Sequence, residues 1–137
     1  MDQAQAASLA AEAVKLALAA TNDPVGQWIL SPHADAASEV CWAGVISGSL
    51  STVRVDRVFR GGLTPESEGE QAWWIIDYKT AHADAPDPAA ALPRLHTLFA
   101  PQLEAYARIL RNLHGADAVL RAGLYYPRMM LLDWWEL

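Results

Sequence analysis

A chain of 137 residues, 53% apolar and 19% charged, with 8 Gly and 8 Pro, has the size and make-up of a single domain able to bury about two thirds of its unfolded surface. Its formal charge of −6 argues against a broad basic surface for nucleic acid, while leaving open an enzyme built on clustered carboxylates. The one cysteine, Cys41, excludes a disulfide framework, a four-cysteine zinc site and a cysteine-ligated iron–sulfur cluster. A reducing, cytoplasmic setting away from membranes is expected, since no apolar run approaches the ~20 residues of a membrane span and no secretion signal opens the chain.

Residues 2 to 20 are Ala-rich, with Leu9, Ala13, Leu16 and Ala20 recurring at helical spacing, and Asn22-Asp23-Pro24 ends that predicted helix. Gln27 to Leu30 reads as a short extended piece and Glu39 to Ile46 as a partly buried strand, followed by a Ser47-Gly48-Ser49 turn. From Leu50 to Arg60 the residues alternate, which predicts Val53, Val55, Arg57 and Phe59 on one face and Arg54, Asp56, Val58 and Arg60 on the other. Gly61-Gly62 breaks that strand, and Thr64 to Glu70 forms a polar loop.

Ala72 to Thr80 is the most strand-like run, paired with its predecessor as a hairpin. Ala81 to Pro93 is a Pro-rich loop; Leu95 to Leu113 is a helix with an apolar stripe and Gly115 just past its end. Two further strands, Ala118 to Tyr126 and Leu131 to Glu136, flank Pro127. A strand, a crossover helix and a strand predict parallel pairing of the third and fourth strands, hence a mixed sheet with helices against it.

The chemistry concentrates on Asp56, Asp77 and Lys79. Residues two apart on a strand share a face, so Asp77 and Lys79 project together, and an antiparallel hairpin brings Asp56 to within a few ångströms of Asp77. Two carboxylates so placed raise each other's pKa unless a cation lies between them, and Mg²⁺ takes one or two carboxylates plus water and phosphate oxygens. A neighbouring lysine can orient water and stabilise charge on a phosphate.

Three ordered segments carry a resemblance: Val53-Arg54-Val55-Asp56-Arg57-Val58-Phe59, then Trp74-Ile75-Ile76-Asp77-Tyr78-Lys79-Thr80, then Gln102-Leu103-Glu104-Ala105-Tyr106-Ala107. Together they resemble the RecB-like nuclease domain of the PD-(D/E)XK superfamily, in the form found at the C-terminus of UvrD-like helicase-nucleases of the exonuclease V β-subunit type, over about residues 24 to 135. The resemblance implies an α/β domain with a restriction-endonuclease-like core, a mixed central sheet flanked by helices in the order αβββαβ, spanning 1–137 as one domain and forming the C-terminal part of a larger helicase-nuclease. It implies a Mg²⁺-dependent phosphodiesterase, with Mn²⁺ able to substitute, acting on single-stranded or duplex DNA ends in repair and recombination, beside helicase domains of the same chain or a partner subunit.

Carried over residue by residue, Asp56, Asp77 and the Tyr78 carbonyl are the implied metal ligands and Lys79 the catalytic lysine. Gln102 and Tyr106 match a Gln-x-x-x-Tyr motif, and Glu39 matches a glutamate preceding the second strand; apart from the resemblance, Arg57, with Arg54 and Arg60, flanks the expected site and is a candidate phosphate contact. Two positions depart from the family: Val53 stands where glycine is frequent, and the helix over 2–20 lacks a metal-binding histidine.

Other readings stay open. A PD-(D/E)XK module with a degraded active site would serve as a DNA-end clamp or assembly scaffold, and a carboxylate-pair hydrolase acting on glycosidic bonds would need neither Mg²⁺ nor the lysine. His33, His82, His96 and His114 lack ligand spacing and read as exposed or capping, with His82 on the loop that would flank substrate. Cys41 reads as a buried thiol and Trp73, Trp74, Trp134 and Trp135 as sheet packing. With no Gly-x-x-x-x-Gly-Lys-Ser/Thr segment, this chain does not bind ATP in the P-loop manner.

Overall fold

The computed structural model describes residues 3–4, 22–80 and 87–137. The expected helix over 2–20 lies outside the described residues except at Gln3 and Ala4, which are helical, and His82 also lies outside them. The described elements run α1 (Pro24–Leu30), β1 (Ala34–Ile46), β2 (Ser49–Gly61), β3 (Ala72–Tyr78), a 3₁₀ turn (Pro88–Ala91), α2 (Leu92–His114), β4 (Leu120–Tyr126) and β5 (Leu131–Glu136). They form an α/β fold, one five-stranded mixed sheet with two helices.

The strands lie side by side in chain order. Every pairing is antiparallel except β3 with β4, which is parallel across the α2 crossover, as the strand–helix–strand order requires. Helix α2 covers one face, where Val55, Val58, Ile75, Leu120, Ala122 and Leu124 pack under Leu103, Ala107 and Leu110. The closest approach is at Gly44, where a Cβ would stand 2.9 Å from Ile109 Cγ1, so a larger residue there would lift the helix off β1.

The other face is closed by α1, whose Trp28 and Ile29 pack on Phe59, Trp74, Ile76 and Tyr125. The stretch read as extended over Gln27–Leu30 is thus helical. Pro24 at its first turn pre-sets the dihedral, and the core covers what seven residues could not hold alone. Asp23, at the N-cap, accepts a buried 2.7 Å hydrogen bond from the Tyr125 hydroxyl and ties this helix to β4. Tyr125→Phe is therefore expected to cost about 1–3 kcal/mol by stranding a buried carboxylate. Tyr78→Phe, which removes a buried hydroxyl with no partner among the described residues, should leave the thermal midpoint within about 2 °C; thermal unfolding of both variants tests the contrast.

Strand β1 starts five residues earlier than the pattern suggested, at Ala34, and Cys41 on it is exposed rather than buried. Strict alternation along β2 also fails. Val55 and Val58, three apart, both enter the core under α2, whereas Arg57 and Phe59 turn to α1. The register with β1 passes from Ser38↔Arg57 to Val40↔Val55 with no pairing of Glu39 and Asp56, and Glu39 takes a left-handed φ of 56°. There Val55 joins Val58 on the α2 face, while Asp56 to Phe59 keep strict alternation.

Candidate active site

The β2–β3 ladder carries its last pair at Arg57↔Ile76, so Asp56 and Asp77 face each other one step beyond it. The Tyr78 N–H, deprived of a strand partner, donates instead to Asp56 Oδ2 at 2.9 Å. This replacement fixes Asp56 against the end of β3. There the Asp56 carboxylate is close enough to Asp77 to bear on its ionisation.

Asp77 is only 5% exposed. Burial, first, and then the hydrogen bond and charge of Asp56 push its pKa up to about 6, while Lys79 pulls the other way. Lys79 Nζ lies 2.6 Å from Asp77 Oδ2 as an ion pair, yet that buried oxygen has no well-directed hydrogen bond among the described residues.

From Lys79 the network continues onto α2. Nζ donates to Gln102 Oε1 at 2.9 Å and stands 4.4 Å from the centroid of the Phe99 ring, and Gln102 Nε2 donates to the Tyr106 hydroxyl at 2.6 Å. Burial raises the Tyr106 pKa, the Gln102 hydrogen bond opposes that rise, and the Asp77 and Asp56 charges reinforce it. Asp56, Asp77, Lys79, Gln102 and Tyr106 thus form one continuous polar cluster where β3 ends beneath α2.

Two other expected site residues stand apart. Arg57 donates through Nε to Ile29 O at 3.1 Å, through one terminal nitrogen to Ser31 O at 2.8 Å and through the other to Ser38 Oγ at 3.1 Å. It satisfies carbonyls at the C-terminal end of α1, on the sheet face opposite α2. Glu39 lies in mid-strand on β1, where it pairs with Arg54 at 2.9 Å and its side chain is 71% exposed. Arg57 and Asp56 are neighbours on one strand and therefore point to opposite faces, Arg57 toward α1 and Asp56 toward α2.

The cluster fits a hard divalent cation. Two adjacent carboxylates, one with a buried oxygen lacking a directed donor and a pKa raised partly by its neighbour, are a pair short of positive charge. Among the described residues no group of three or more His, Cys, Asp or Glu side chains is placed to hold a metal, so the fit is to an ion that keeps water or substrate oxygens in its shell.

Phe99, beneath Lys79, and the pair His96–Asp133, joined at 2.8 Å, were not singled out by the sequence patterns as part of this region. The available signal was spacing: His96, Phe99, Gln102 and Tyr106 recur at three, three and four along α2. The other described histidines stack, His33 on Phe59 at 4.1 Å while contacting the Trp28 carbonyl and His114 on Trp73 at 4.5 Å. No family model matches the chain, and no curated protein matches it either. No described helix is long and apolar enough to cross a membrane.

Proposed function

We propose that this protein is a divalent-metal-dependent DNA nuclease of the RecB-like PD-(D/E)XK type, with a restriction-endonuclease-like core. The observation that carries the reading is the joining of Asp56, Asp77, Lys79, Gln102 and Tyr106, drawn from three elements, into one cluster. The three-segment resemblance names the same five residues.

In this reading Asp56, Asp77 and the Tyr78 carbonyl would hold Mg²⁺ or Mn²⁺. An ion held there supplies Lewis acidity for attack of water on a phosphodiester. Lys79 presents its ammonium where negative charge builds on the phosphate, and the low local polarity under α2 strengthens that contact. Gln102 keeps the ammonium aimed, Tyr106 fixes the Gln102 amide by accepting from it, and the Tyr78 N–H fixes Asp56. In the longer protein, helicase domains would feed strands to this site.

Incubating the protein with labelled single-stranded and duplex DNA, in EDTA, Mg²⁺ or Mn²⁺, tests the proposal. Loss of full-length DNA only with metal is the expected result. Binding without cleavage in either metal would favour the scaffold or DNA-end clamp, and absence of both would overturn the reading.

A further inference from the structure

The sheet pairs Asp77 with Leu124 and Leu124 with Asp133, so the two aspartates occupy one transverse row two strands apart. Strand spacing puts their backbones about 10 Å apart. Both point toward α2: Asp77 reaches Lys79 and through it Gln102, while Asp133 Oδ2 contacts His96 Nδ1 at 2.8 Å. Between them Phe99 touches the Lys79 ammonium and Tyr126 is buried, its hydroxyl unpartnered among the described residues. Burial, then Asp133, then Asp77 push that hydroxyl to about 12, so it senses both carboxylates.

His96 is therefore a neighbour of the cluster rather than an isolated surface residue. Its ring is fixed by Asp133 and by the edge of Trp135 at 4.4 Å, its side chain remains 38% exposed, and Nε2 makes no hydrogen bond among the described residues. A partly exposed ring with one nitrogen anchored by a carboxylate and the other without a protein partner among the described residues can donate from that second nitrogen in its imidazolium form. The two aspartates are thus rooted about 10 Å apart, on the order of the span of one to three nucleotides of a strand.

Resting on the nuclease reading, we propose that His96, held by Asp133, forms a second phosphate subsite that grips the nucleic-acid backbone one to three nucleotides from the phosphate at Asp56, Asp77 and Lys79. Asp133 is the positioning residue. The subsite fixes the direction in which a strand crosses the sheet, from β3 toward β5, and takes the sugar–phosphate chain irrespective of base.

The test measures binding of a fluorescein-labelled oligothymidylate to the full chain by anisotropy, in Ca²⁺, across a salt series, for the wild type, His96→Gln and Asp133→Asn. Loss of one phosphate contact should weaken binding by His96→Gln about tenfold at low salt and flatten the slope of log K against log salt by about 0.7. Asp133→Asn, which keeps the side-chain shape, should move both in the same direction by less and covers the case in which His96→Gln fails to fold. A folded His96→Gln protein with the wild-type slope overturns the subsite; if the wild type nevertheless cleaves DNA, the nuclease reading survives. A wild type that neither binds nor cleaves removes both.

Discussion

On the proposed nuclease reading, Asp77→Asn is expected to make the protein more stable at pH 8 while abolishing metal-dependent cleavage. Asp77 is nearly buried, and its folded pKa of about 6 lies above the ordinary aspartate value of 3.8, chiefly through burial and then through Asp56. The folded state therefore holds more protons than the unfolded one between those two values. Stability falls as pH rises across that window and stays lowered above it, where the carboxylate is ionised at a cost.

An amide of the same size removes that cost and leaves Lys79 its Gln102 acceptor. A gain on the order of 1–3 kcal/mol, or roughly 3–10 °C in the thermal midpoint, is expected in EDTA at pH 8, shrinking toward zero near pH 4. Mg²⁺ should raise the midpoint of the wild type by mass action and leave Asp77→Asn unmoved. Calorimetry at the two pH values, with and without the ion, checks each part; a variant less stable than wild type at pH 8 would mean that the Lys79 ion pair outweighs burial. Stability exchanged for chemistry is common where like charges are held together.

Lys79→Ala is expected to lower the single-turnover cleavage rate by on the order of 10²–10³ at saturating DNA and metal. The side chain is 18% exposed, its ammonium lies between Asp77 and Gln102 over the Phe99 ring, and alanine leaves nothing to replace that charge. Lys79→Arg should still lose at least tenfold, because a planar guanidinium cannot reproduce a compact ammonium set between an oxygen pair and an aromatic face. Gln102→Ala, which removes only the group that aims the ammonium, should fall between wild type and Lys79→Ala. Rapid-quench measurements on a labelled strand give the three rates, and a Lys79→Ala rate within tenfold of wild type would exclude the lysine from the chemistry.

Much of this site could be read from local order. Asp77 and Lys79 share a face because strand side chains repeat every two residues, and Gln102 and Tyr106 share one because a helix turns every 3.6. The parallel joining of β3 to β4 results from a helix placed between them. The sequence by itself determined these relations because each is set by neighbours a few residues away.

The tertiary structure decided the rest. Glu39 takes a left-handed φ of 56° where its pairing with Asp56 is lost, and Val55 there joins Val58 on the α2 face; the Tyr78 N–H holds Asp56 at the end of β3, while Arg57 on the opposite face reaches the carbonyls ending α1. The helix over Pro24–Leu30 exists because Phe59, Trp74 and Tyr125 give Trp28 and Ile29 a surface to bury, and His96 meets Asp133 because β5 lies two strands from β3. Such contacts join residues tens of positions apart, and no local periodicity encodes them: they arise when burial of apolar faces chooses which elements touch.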